Sequence, residues 1–410
     1  MKKILILGAG TAGTIMANRL AKLSSKVKEE IQLTIVDPDP VHVYQPGLLF
    51  VPFGSYSVSD IIKPKSRLIS RKVRYIESEV ESVLPDTKCV SLKNGSKEYY
   101  DILIVATGVK LLPEETEGLT GPGWKENRFD FYTVDGASAL HNALDRFTGG
   151  RLVINITDMP IKCPVAPLEF AFLADSYFTR RKIRDRVDIS FVTPLDGAFT
   201  KPKASAVLGG LLKEKNINVI PEYNTGRVED GKIISWDERE VPFDLLVTIP
   251  LHGGADFVKD SGLGDDLGFV KTNPNTLQHP QRPEVFALGD AANVPTSKAG
   301  SVVHFESEIL AENILLYLEG KELKQDFDGH SNCFIETGFG KASLIDFNYT
   351  TEPLPGVYPW KGIGPMKLLK ETRLNHMGKL FFKALYWHML LPGRDLPVST
   401  QMSMTGKIAS

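Results

Sequence analysis

The sequence predicts an α/β protein of two parallel-sheet units followed by a helical tail, and three observations carry that prediction. Continuous apolar runs such as Ile4–Leu7 and Ile102–Val105 read as parallel strands buried on both faces. Helical stretches separate successive runs, as parallel connections require. A glycine-rich turn, Gly8-Ala9-Gly10-Thr11-Ala12-Gly13, follows the first run directly.

Taken in order, Ile4–Leu7 is a strand, a helix runs to about Leu23, and Leu33–Val36 is a second strand closing at Asp37. Ile102–Val105 leads into Ala106-Thr107-Gly108. The theme repeats with a strand at Leu152–Ile156, a helix over 167–178, a strand at Val187–Val192, a helix over 203–215 and an extended piece at 217–220. Leu245–Pro250 and Val285–Leu288 are further strands, the latter feeding Gly289-Asp290. This gives two Rossmann-like domains. Residues 1–110 and 245–330 form the first, 111–244 the second, and 331–410 a C-terminal region with amphipathic helices.

Composition narrows the function. The 410 residues are 42% hydrophobic and 24% charged, so the chain is globular rather than disordered. A net charge of -2 lacks the positive excess of a nucleic-acid binder. Three cysteines are too few for a disulfide-stapled secreted fold, so any that matter are functional thiols. Met1-Lys2-Lys3 runs straight into the first strand, leaving no room for a targeting segment, and the expected compartment is the cytoplasm. From Lys361 onward, eight Lys and Arg face two acids among many aromatic and aliphatic residues. Such a segment is either a helix lying in a membrane interface or a core or dimer-forming helix. On the first reading Lys379 and Lys383, one turn apart, reach anionic headgroups.

The chemistry-bearing residues fall in three places. Gly8 permits a tight turn, Gly10 lets backbone approach a pyrophosphate, and Gly13 allows close helix–strand packing. The helix N-terminus behind them, at Thr11 and Ala12, offers N–H donors to phosphate, and Asp37 can accept from a ribose. The loop after the Leu152–Ile156 strand, Thr157 to Glu169, contains no glycine and three prolines, which argues against a second dinucleotide there. It carries instead Cys163 at the start of a helix, where a thiol is expected to be acidified. Cys333 lies far downstream, past the Gly289-Asp290 strand. Cys89 has no such context and reads as structural. Glu169 is either a base near Cys163 or an ordinary first-turn glutamate, Lys298 either a partner for a reduced cofactor or a solvated lysine, and His304 a core histidine.

Ala106-Thr107-Gly108 and Gly289-Asp290, each after a strand, resemble the further signatures of two-dinucleotide-domain flavoproteins, which implies FAD, with Asp290 on its ribitol. Cys-Pro-x-Ala-Pro-x-Glu at 163–169, Pro295 to Gly300, the late Cys333 and the basic aromatic tail together resemble the sulfide:quinone oxidoreductases along nearly the whole chain. The resemblance implies oxidation of hydrogen sulfide to sulfane sulfur or polysulfide through Cys163 and Cys333. Electrons would pass through FAD to a membrane quinone in a respiratory chain, with no metal. It implies a homo-oligomer docked monotopically on the cytoplasmic membrane face, with Lys298 near the flavin pyrimidine. Aromatics of the tail and of the 334–358 region (Phe334, Phe339, Phe347, Tyr358) are expected around the quinone. Bacterial members often carry a third cysteine, and the stretch Trp124–Thr133 has none, which resembles the two-cysteine relatives. The alternatives are a flavocytochrome c-type sulfide dehydrogenase, a type II NADH:quinone oxidoreductase, and a redox-sensing flavoprotein that binds membranes.

Overall fold

The computed structural model describes residues 1–24, 29–359 and 364–408; Lys361 of the basic tail lies outside them. The first unit opens with β1 (Lys2–Leu7), α1 (Thr11–Leu23), β2 (Ile31–Asp37), β3 (Val73–Glu77) and β4 (Ile102–Val105). After helix α2 (Val134–Arg146) come β5 (Gly150–Ile156), α3 (Ala166–Arg180), β6 (Val187–Val192), α4 (Pro202–Glu214), β7 (Ile217–Ile220) and β8 (Leu245–Ile249). The chain then returns through β9 (Val285–Ala287) and α5 (Gly300–Leu318) to a hairpin, β10 (Ser331–Gly338) and β11 (Lys341–Phe347). Helix α6 (Arg373–Leu385) follows and continues into a π-helical turn, Tyr386–Leu390.

Two five-stranded parallel sheets result. One has the order β9-β4-β1-β2-β3; the other places a short edge strand, Arg128–Phe129, beside β8-β5-β6-β7. Every residue of Ile4–Leu7 and of Ile102–Val105 is buried, as their unbroken apolar character requires. β1 is the strand from which the order runs to β2 on one side and to β4 on the other. The crevice outside the C-terminal ends of β1 and β4 is therefore where a ligand belongs.

The C-terminal region, 331–410, departs from expectation. The sequence predicts amphipathic helices there, and among the described residues it holds the β10–β11 hairpin, a smaller antiparallel pair (Gly356–Tyr358 with Met366–Leu368) and one α-helix. The hairpin turns through Phe339 and Gly340, both at positive φ (53° and 66°), as a tight two-residue turn demands. β10 packs against α3, and α6 packs across β10 and β11. The tail also divides between its two open readings. Tyr386, Trp387, Leu390 and Leu391 join the core, while Leu374, Met377, Leu380 and Phe381 stay exposed.

Candidate functional site

The turn after β1 is built as a cradle. Gly8 has φ +95°, and a Cβ on Gly13 would stand 1.8 Å from the Gly8 carbonyl oxygen, so only glycine lets α1 pack this close. A Cβ on Gly10 would meet nothing within 4 Å, because Gly10 opens onto a cavity of about 330 Å³. No side chain caps α1, so its first-turn N–H groups face that space without a capping acceptor. Thr11, Ala12, Asp37, Thr107, Gly108, Asp290 and Lys298 line the same cavity. The Thr107 hydroxyl is buried with no partner, and Gly108 too leaves open space where a side chain would be. Asp37 accepts the Ala9 N–H at 2.6 Å and pairs with Lys65. Open glycine backbone, uncapped N–H groups and an orphaned hydroxyl fit a dinucleotide pyrophosphate. Gly289 sits behind the cavity wall, its N–H donating to Glu306 at 2.6 Å.

Cys163 and Cys333 line this cavity together, both unpaired, whereas Cys89 is buried away from it. Cys163 reaches its position through strain: its φ is +48°, a left-handed value that a residue with a Cβ adopts at a cost. Its N–H donates to the Lys298 carbonyl at 2.7 Å, and Tyr132 Oη donates to the Cys163 carbonyl at 3.2 Å. Burial outweighs the expected lowering of the Cys163 pKa, which the Ala166 N–H at the helix start does supply. Cys163 stands three residues ahead of Ala166, the first residue of α3. Burial, then the Glu169 carboxylate and Cys333, push its thiol well above the free value. Burial likewise pushes Cys333 up to about 11, against a hydrogen bond from Ser301.

Glu169 is buried rather than at the surface. One of its carboxylate oxygens accepts the Glu336 N–H at 2.6 Å and pairs with the Lys379 ammonium. Burial raises the Glu169 pKa, and Lys379 partly opposes it. For Lys379 burial acts downward, but the Glu169 and Glu336 carboxylates outweigh it and hold the ammonium protonated. Lys379 also donates to the Phe334 carbonyl at 3.1 Å. It is therefore turned inward and not available to lipid headgroups, a correction to the sequence reading. Lys383 lies over the Tyr56 ring, 4.0 Å from its centroid.

Lys298 is not a solvated lysine; its ammonium donates to the carbonyls of Asp290 and Ala292 at 2.8 and 2.9 Å. Of the four aromatics named for a quinone, Phe334 lines the cavity. Phe339 is exposed at the hairpin turn, and neither Phe347 nor Tyr358 reaches the lining. Sequence reasoning missed Lys162, whose ammonium donates to Gln45 Oε1 at 2.8 Å on the cavity wall; of the tail aromatics it expected without singling out members, Phe382 and Tyr386 line the cavity. Helical spacing held a signal for part of this. His376, Lys379 and Lys383 share one face of α6, opposite Met377, Phe381 and Ala384.

Two parallel-sheet units, a dinucleotide cradle and a thiol pair in one cavity define a flavin-dependent oxidoreductase, with FAD as the cofactor the residues fit. Residues 2–155 match the model of the pyridine nucleotide-disulphide oxidoreductase family. The chain is 28% identical over 400 residues to the mitochondrial sulfide:quinone oxidoreductase of Mus musculus, covering 95% of this chain and 86% of that protein. It is 29% identical over 402 residues to the Dictyostelium discoideum mitochondrial enzyme, covering 96% and 86%. The crystal structure of the Aquifex aeolicus sulfide:quinone oxidoreductase superposes with a TM-score of 0.81 at 21% identity, over 96% of this chain and 92% of that one, which establishes the shared fold. The chain is a homologue of the sulfide:quinone oxidoreductases.

Proposed function

We propose that this protein oxidises sulfide and passes the electrons to a membrane quinone. The observation that carries the reading is the placement of Cys163 and Cys333 on one cavity wall beside the dinucleotide cradle, with Glu169 and Lys379 next to them. The second unit's loop supports it, since Thr157–Ala166 offers no glycine to hold a nicotinamide dinucleotide.

Gly8, Gly10, Thr11, Ala12 and Gly13 shape the pyrophosphate site, with Asp37 at the ribose end and Thr107, Gly108, Gly289, Asp290 and Lys298 along the rest of the cofactor. Bound FAD supplies a two-electron carrier between the thiols and the quinone. HS⁻ attacks one sulfur of the oxidised Cys163–Cys333 pair. The bond between the cysteines breaks, one carries a persulfide, and the other leaves as a thiolate holding the electron pair. Glu169 takes the sulfide proton, and Lys379 balances the negative charge that builds up in a dry cavity. Sulfane sulfur leaves as polysulfide after further attack by HS⁻. Phe334 and Phe382 give the cavity an apolar end suited to a quinone ring. The outward residues of α6 rest on the cytoplasmic membrane face, and the enzyme is a homo-oligomer. The division into 1–110 with 245–330, 111–244 and 331–410 needs one correction: β8 (Leu245–Ile249), counted with the first unit in the sequence reading, pairs with β5 and so belongs to the second.

Anaerobic flavin bleaching tests the reading. Sulfide is expected to abolish the oxidised flavin's visible band in the wild type and not in Cys163→Ser, while NADH leaves it intact. Bleaching by NADH with sulfide inert would overturn it.

A further inference from the structure

We propose that Glu336 and His376 form the solvent-side end of a proton route that reaches the cavity at Lys379. The inference rests on the sulfide-to-quinone reading above, in which HS⁻ + H⁺ + quinone give sulfur and quinol. Each turnover therefore draws a proton from solvent, and both hydrogens end on the quinone oxygens. A quinone seated between Phe334 and Phe382 shuts bulk water out of the cavity end where Lys379 stands, so the proton needs a path through protein.

The chain supplies one. His376 lies on α6 with its side chain 25% exposed, and its Nδ1 meets the Glu336 carboxylate at 2.8 and 3.0 Å. Glu336 is 1% exposed. Its backbone N–H is given to Glu169, so main chain and side chain of one residue touch both the cavity wall and the surface histidine. The register of β10 shifts between Glu336 and Gly338, and such a bulge re-aims side chains. Gly338 is fixed there, with φ +79° and the Phe172 carbonyl oxygen 2.6 Å from where its Cβ would stand. A buried carboxylate costs free energy unless it is paired and hydrogen-bonded, and the partner given to this one is a partly exposed, titratable histidine that links it to solvent.

The transfers balance. The Lys379 ammonium gives its proton to a quinone oxygen and becomes an amine. Glu336, protonated by His376, refills it, and water at the surface refills His376. Lys379 is not hydrogen-bonded to the Glu336 carboxylate as it stands, but that carboxylate favours its charged form. The flexible four-carbon stem lets the ammonium alternate between Glu169 and Glu336. The groups that face this route are Glu169 on α3, Cys163 on the loop before it, Glu336 on β10, Tyr56, and Lys379 itself.

The holoenzyme with His376→Ala is expected to lose about tenfold in sulfide-dependent quinone reduction, and added imidazole to restore most of it. His376→Gln, which keeps a hydrogen-bonding group beside Glu336 without titrating, is expected to be as slow as His376→Ala. Wild-type turnover in His376→Gln, or a His376→Ala deficit that imidazole leaves unchanged, would overturn the route. If wild-type flavin does not bleach with sulfide, it is the functional reading that falls.

Discussion

Glu306 lies under the Gly289 turn, accepting that residue's N–H, and burial pushes its pKa up to about 7. The sign of the consequence follows from proton counting. Between about pH 4.5 and pH 7 the folded chain keeps a proton on Glu306 that the unfolded chain has released. Stability therefore falls as pH rises through that window and levels off above it. The gap from an ordinary glutamate is worth about 3 kcal/mol. Glu306→Gln, which keeps an oxygen for Gly289, is expected to flatten this slope, as thermal midpoints at acid and neutral pH would register. Equal slopes in the two proteins would mean that Glu306 is already ionised in the fold. Cys163 obeys the same rule with a different outcome. Desolvation and a neighbouring carboxylate govern its thiol, so its reactivity depends on Glu169 giving up charge or on HS⁻ doing the attacking.

At the scale of elements, α6 has two working faces. Its inner face presents His376, Lys379 and Phe382 to β10 and the cavity. Its outer face leaves Met377 and Phe381 62% and 60% exposed, with Leu374 and Leu380 beside them. A stripe of that kind on a helix flanked by Lys370, Arg373 and Lys383 is suited to an interfacial bilayer position. No helix among the described residues is long and apolar enough to cross a membrane. Each large apolar side chain moved out of water contributes roughly 1.5–3 kcal/mol. Met377→Glu together with Phe381→Glu is therefore expected to weaken binding to anionic vesicles at least about a hundredfold. Neither residue lines the cavity, so sulfide-driven flavin bleaching in detergent is expected to stay at the wild-type level. Unchanged vesicle sedimentation would instead assign the stripe to another copy of the chain.

The whole molecule shows which information a linear pattern carries. Most strands of the two sheets, the Gly8–Gly13 turn and Cys163 were legible because each is a local matter of apolar runs, glycine spacing or a proline-rich loop, whereas β3 and the edge strand Arg128–Phe129, which lack an unbroken apolar run, were not. Helix α1 ends at Leu23 and α4 spans Pro202–Glu214, close to the stretches read from periodicity alone. What could not be read joins residues hundreds of positions apart: Lys379 on Glu169, and the hairpin that brings Cys333 to Cys163. The farthest of these links ties the cradle to the tail. Tyr386 Oη lies 2.7 Å from Thr11 Oγ1 and 2.6 Å from His42 Nε2. Nearby, Asn18 donates to the Leu391 carbonyl at 2.7 Å and Arg19 pairs with Asp395. Burial holds His42 neutral, with a pKa near 4, so the three groups form a chain of neutral hydrogen bonds at the start of α1, beside the Gly8–Gly13 turn. Tyr386→Phe keeps the ring packing against Tyr44 and Trp387 while deleting the hydroxyl. A hydrogen bond of this kind contributes about 1 kcal/mol. The variant is therefore expected to release FAD about fivefold more readily on dilution, followed by the rise in free-flavin fluorescence. The apoprotein's thermal midpoint is expected to fall by roughly a few degrees as well, since the lost bonds join Thr11 and His42 to the tail within the chain itself. An unchanged release rate would show that the tail covers the cradle without helping to hold what lies in it.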